Sequence, residues 1–174
     1  MALTLNKVSK RLADKWVLRD IELSVADGEI VGIFGASASG KSTLLKLIAG
    51  EEKPSTGELE MNDTVHLAAR RNKSGIGAIF GNDGRMSDGE SAAALMDEAL
   101  ASNARVLLVD GLFGMLDQTQ REHYVKRFRE ADNNGKSVVI TSVDLKIIAL
   151  LCDRIVVLAE SYIAQTGFVQ EVYE

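Results

Sequence analysis

Residues Gly35 to Ser42 read GASASGKS, directly after the apolar run IVGIF and directly before TLLKLI. A strand, a glycine-rich turn and a helix start in that order make a phosphate cradle. Backbone N–H groups of the turn converge on phosphate oxygens, and the helix N-terminus adds partial positive charge. Lys41 is the residue expected to reach terminal phosphates, and Ser42 the one expected to ligate Mg²⁺. Gly40 lets the backbone approach closely, and Ala36, Ser37, Ala38, Ser39 and Thr43 complete the loop. A second signal is RVLLVD, a buried strand that delivers Asp110 to its end, where a carboxylate holds Mg²⁺ through water. The candidate metal set is therefore Ser42 and Asp110.

The surrounding elements follow from periodicity. LTLNKVSK and WVLRDIELSV alternate apolar and polar residues, as half-buried antiparallel strands do, and ADGE between WVLRDIELSV and IVGIF is a turn. IVGIF, RVLLVD and SVVIT are short apolar runs, consistent with buried parallel strands. GELEMNDTVHL reads as a return to antiparallel strands, and SGIGAIF as another short strand. Thr43 to Ala49, ESAAALMDEALAS, Asp117 to Asp132 and Asp144 to Cys152 read as helices. RIVVLAE and SYIAQTG read as a closing pair of strands. Buried strands alternating with helices imply an α/β fold, a parallel sheet flanked by helices, with a small N-terminal antiparallel layer beside it. No repeat, low-complexity stretch or linker divides residues 1–174, so one domain is expected.

Composition narrows the class. A chain of 174 residues, 46% hydrophobic and 26% charged, suits a globular domain with a real core. The net charge of −5 argues against a nucleic-acid partner, which calls for a basic face. The one cysteine, Cys152, cannot form an internal disulfide, which points to a reducing, cytoplasmic setting. No apolar run approaches the length of a spanning helix, so a membrane station would be peripheral, at the inner face. His66 and His123 share no metal or catalytic spacing, and ARRNKS (Ala69–Ser74) is a small basic cluster on an expected loop.

The cradle, the Asp110 strand and their surroundings resemble the nucleotide-binding domain of ABC-type ATPases, a P-loop NTPase fold, over almost the whole chain. Trp16 stands where that family stacks a ring on adenine. MSDGE, Met86 to Glu90, is similar to the signature LSGGQ, and MLD, ending at Asp117, to the D-loop. The resemblance implies ATP and Mg²⁺ as ligands. It also implies head-to-tail pairing with a second copy or a related ABC-type ATPase, in which Ser87 and the Gly89 amide would contact the ATP held by the partner. A membrane subunit is the further partner it implies.

The departures are as informative. Gly111 replaces the glutamate that polarises water, Val143 the switch histidine, and Gly81, followed by Asn82, the Q-loop glutamine. Asp88 stands where the signature carries glycine, and Leu112 where the proline of the Asp110 motif is usual. GNDGR, beginning at Gly81, leads directly to Met86, so the helical subdomain that grips membrane subunits is largely absent. Three expectations remain open at this point. The chain binds MgATP with weak or no hydrolysis, as a switch or regulatory subunit. Alternatively, it is a working ATPase subunit whose partner supplies the missing groups. Finally, it is a structural pseudo-ATPase that binds no nucleotide.

Overall fold

The computed structural model describes residues 1–70 and 86–172. Two long strands open the chain, β1 (Leu3–Leu12) and β2 (Lys15–Val25), paired antiparallel. Their register is interrupted in three places. Lys7 has φ 48°, and the register shifts between Leu5 and Val8, so the bulge keeps Leu3, Leu5 and Val8 all buried. β4 (Thr56–Met61) joins the other side of β1, giving a three-stranded sheet of order β2-β1-β4. Gly57 of β4 lies against the bulge, where an added Cβ would stand 2.2 Å from the Lys7 carbonyl oxygen.

The larger sheet contains β3 (Ile30–Phe34), β5 (Val65–Ala69), β6 (Val106–Asp110), β7 (Ser137–Ser142), β8 (Arg154–Ala159) and β9 (Tyr162–Phe168). Its order is β5-β6-β7-β3-β8-β9, with β9 alone antiparallel. Successive residues of a strand face opposite sides, so each central strand feeds two cores. Leu107, Val109, Val138 and Ile140 face the core built with α2 (Asp88–Ala101), α3 (Gln118–Asn133) and α4 (Leu145–Leu151). Val106, Leu108 and Val139 face the other core, shared with α1 (Lys41–Ile48) and the antiparallel sheet. A short helix α5 (Val169–Val172) closes the described chain.

The expected architecture is therefore present, with one correction. GELEMNDTVHL divides between the two sheets. Thr56–Met61 is antiparallel as expected, but Val65–Ala69 is a parallel edge strand beside β6. Alternation alone cannot separate the two, because the partner lies about 40 residues further on and is supplied by tertiary contact. The Thr64 carbonyl accepts from the Arg105 and Val106 amides and sets that register. The expected strand SGIGAIF lies outside the described residues.

Candidate functional site

The phosphate loop connects the carboxyl end of β3 to α1. Ala36, Ser37 and Ala38 are exposed, whereas Gly35 and Gly40 are buried against the fold. A Cβ on Gly35 would approach the Leu158 carbonyl oxygen and the Ser39 Oγ at 2.6 Å each. Gly40 has φ 101°, and a Cβ there would stand 2.9 Å from Leu18 Cδ2. Both glycines are thus required by space, and Gly40 also by backbone conformation. Ala38 has φ 62°, a left-handed conformation that a residue with a Cβ adopts at a cost.

Lys41 lies across the loop. Its ammonium donates to the carbonyl oxygens of Gly35 (2.7 Å) and Ala36 (2.6 Å). Burial lowers its pKa, and the nearby negative charge of Asp110 acts in the opposite direction. That coupling places the end of β6 within electrostatic range of the loop. The N-terminus of α1 has no side-chain cap and no acidic residue in its first turn, so its leading amides are left for an external acceptor. Asp110 accepts a hydrogen bond on Oδ1 from the Thr141 hydroxyl at 2.7 Å. Thr141 is itself buried and thereby fixes the carboxylate. The periodicity of SVVIT makes Thr141 a strand residue but carries no sign of this partnership.

Two clefts adjoin the loop and share Val17 and Ala38. One, of about 300 Å³, is lined by Gly40, Lys41, Ser42 and Thr43. The other, of about 490 Å³, is lined by Trp16, Arg19, Ser39, Glu160 and Ser161. Trp16 is half-buried, with the Arg11 guanidinium carbon 5.8 Å from its ring centroid. The Ser161 hydroxyl donates to the Trp16 carbonyl oxygen, tying this strand to the β8–β9 turn. The chain therefore brings Trp16 beside the loop that begins 19 residues later at Gly35.

At the positions without the expected side chains, the geometry is open. Gly111 has φ 65° and begins the 3₁₀ turn Leu112–Met115, and a Cβ added there would meet nothing within 4 Å among the described residues. Val143 is 61% exposed. Asp144 caps α4, its Oδ1 accepting from the Lys146 amide at 2.9 Å, so its carboxylate is already engaged. Gly81 and Asn82 lie outside the described residues.

MSDGE forms the start of α2. Ser87 is its N-cap, bonded reciprocally with Glu90 in a capping box. Gly89 packs against the 3₁₀ turn, where a Cβ would stand 3.1 Å from the Met115 carbonyl oxygen. Asp88 points instead to Arg70, whose Nη2 donates to Asp88 Oδ1 at 2.8 Å. Asp117 caps α3 with a second capping box through Gln120. His66 sits half-buried in β5 and His123 exposed on α3. Among the described residues no group of three or more His, Cys, Asp or Glu side chains is placed to hold a metal ion.

A parallel sheet with a phosphate loop at the carboxyl end of one strand and a fixed aspartate at the end of another defines a P-loop NTPase-type nucleotide-binding fold. Solved structures with this arrangement include a dimeric ATP-binding cassette in a post-hydrolysis state bound to ADP and Pi. It is 20% identical with TM-score 0.82, covering 96% of this chain and 98% of that one. A nucleotide-free ATP-binding cassette from an ABC transporter is 16% identical with TM-score 0.83, covering 96% and 91%. The family model described as ABC transporter matches residues 18–84. The sulfate/thiosulfate import ATP-binding protein CysA of Synechocystis is 30% identical over all of this chain and 62% of its own length. The Fe(3+) ions import ATP-binding protein FbpC of Streptomyces avermitilis is 28% identical over 99% of this chain and 64% of its own. The chain thus spans less than two thirds of the length of these relatives. The family match, the curated relatives and the solved structures together support an ABC-type ATP-binding domain.

Proposed function

We propose that this chain binds ATP with Mg²⁺ at the Gly35–Thr43 loop, hydrolyses it slowly or not at all, and acts as a switch or regulatory subunit. The observation that carries the reading is the space above Gly111. The cradle before it is complete, yet a Cβ at the position following Asp110 would have no neighbour within 4 Å among the described residues. No side chain there can polarise water, and Val143 and the engaged Asp144 offer no substitute. Positioning and general-base assistance each contribute orders of magnitude to rate, so losing both leaves a ligand site without a fast reaction.

The donor set fits the ligand. The uncapped α1 terminus and the loop amides suit phosphate oxygens, with Lys41 adding charge. Ser42 and Asp110 suit Mg²⁺, a hard cation that keeps water and phosphate oxygens among its ligands. Bound there, the metal would draw charge from the phosphates. Trp16 would stack the base in the adjoining cleft, and Thr141 would keep Asp110 aimed at the metal. Ser87 and Gly89 are the proposed contacts to a nucleotide held by a second ABC-type domain, equal or related. Residues 1–174 are read as one nucleotide-binding domain.

A second reading is a working subunit of a transporter, in which a partner ATPase supplies the missing groups. It is favoured by the relatives named as import ATP-binding proteins. The shortened stretch before Met86 weighs against direct docking to a membrane subunit. Incubating equimolar protein, labelled ATP and Mg²⁺ for hours, then identifying the retained nucleotide, tests the proposal. Bound, intact ATP is expected. Steady conversion to ADP, near one turnover per second, would overturn it, and absence of retained nucleotide would favour a purely structural role.

A further inference from the structure

The registers of the large sheet align one row of residues across four strands. Ile33 pairs with Thr141, Thr141 with Asp110, and Asp110 with Ala69. Arg70 is therefore the first residue past the carboxyl end of β5, level with Gly111, Ser142 and Phe34. Neighbouring strands lie about 4.8 Å apart, so Ala69 stands one strand spacing from Asp110, the candidate metal ligand, and Arg70 follows it directly. An arginine side chain is longer than that spacing. Ligands of open parallel sheets sit outside the carboxyl ends of the strands, the end of the sheet at which both Arg70 and the phosphate loop lie. Among the described residues, a Cβ on Gly111 would touch nothing.

Resting on the ATP-binding reading above, we propose that Arg70 is the cation that holds the terminal phosphate of a bound nucleoside triphosphate, with Asp88 as its intramolecular competitor. In this structure the Arg70 guanidinium is committed to Asp88 at 2.8 Å. Both partners are well exposed, with side chains 49% and 71% accessible, so the pair is weak and readily exchanged. A terminal phosphate carries more charge than a carboxylate and accepts the same forked donors. Asp88 begins α2, and Gly89 packs on the Met115 carbonyl oxygen beside the Asp110 strand. Exchange of Arg70 from Asp88 to phosphate thus couples nucleotide state to the N-terminus of α2. A diphosphate lacks the group that Arg70 would hold, so the contact separates ATP from ADP.

The test is equilibrium dialysis of the full chain against MgATP and, separately, MgADP, for the wild type and for R70A, R70K, D88A and R70A/D88A. R70A is expected to weaken ATP about tenfold while changing ADP less than twofold. R70K should recover part of the loss. D88A should tighten ATP several-fold, with no effect on ADP, and that gain should vanish in the R70A background. Both residues are exposed, so the variants retain the fold, which circular dichroism checks. An unchanged ATP-to-ADP ratio in R70A, with the wild type binding both, would overturn this proposal alone. A wild type that binds neither nucleotide would overturn the ATP-binding reading and this proposal together.

Discussion

Asp132 is the residue whose burial is least compensated. Its Oδ1 is buried without a hydrogen-bond partner among the described residues, and Arg129 is its nearest cation at 3.8 Å. Burial, and then the neighbouring charges of Asp153 and Glu29, raise its pKa despite Arg129. A raised folded-state carboxylate pKa means that the charged form opposes folding. Its penalty is absent below the unfolded value, about 3.9, grows as pH rises from there toward the raised folded value, and is complete above it. Asp132→Asn is therefore expected to raise stability at pH 7 by on the order of 1 kcal/mol and to have little effect near pH 3. Urea midpoints at the two pH values check this, and equal gains at both would contradict the account. Ala38 stores a second local cost, its φ of 62°. Ala38→Gly is expected to stabilise the chain by about 0.5–1 kcal/mol, the relief of strain exceeding the added unfolded-chain entropy. A lower denaturation midpoint would refute that balance.

Elements are joined here by a few close approaches. Gly32, in the middle of β3, lets α4 pack directly on the sheet. A Cβ there would stand 2.4 Å from Ile148 Cγ2 and 2.8 Å from Cys152 Sγ. Gly32→Ala is expected to destabilise by about 2–3 kcal/mol through overpacking. It should also displace β3, which carries the phosphate loop, so nucleotide affinity should fall with stability. Full retention of both would mean that α4 shifts at no cost. The helices also explain what MSDGE does in one chain. Ser87 and Glu90 satisfy each other's backbone amides, and Asp88 adds favourable charge in the first turn. The α2 terminus is therefore complete without any ligand. Asp117 plays the same part for α3, so both similarities to family motifs fall on helix starts that hold themselves together.

For the molecule as a whole, the large sheet separates two cores, and Cys152 lies deep in one of them at 2% exposure. Burial pushes its thiol pKa up, away from the reactive thiolate. The native thiol is expected to be inert to a disulfide reagent at pH 8, with modification proceeding at the global unfolding rate. Labelling faster than unfolding, measured by circular dichroism in the same buffer, would reveal a local opening of α4. Among the described residues no helix is long and apolar enough to cross a membrane.

The sequence by itself determined the phosphate loop, the end of the Asp110 strand and the two-layer arrangement. Each of these depends on residues close together in the chain: a strand, a turn and a helix start in immediate succession, or a short apolar run with the period of its element. Tertiary structure alone decided the place of Val65–Ala69, because parallel pairing is set by β6, a strand far along the chain. It alone brought Thr141 to Asp110 and Arg70 to the level of Gly111. It alone engaged Arg70 with Asp88, 18 residues apart. These partnerships rest on registers between strands, and a register is chosen by which faces are buried together, which no local pattern records.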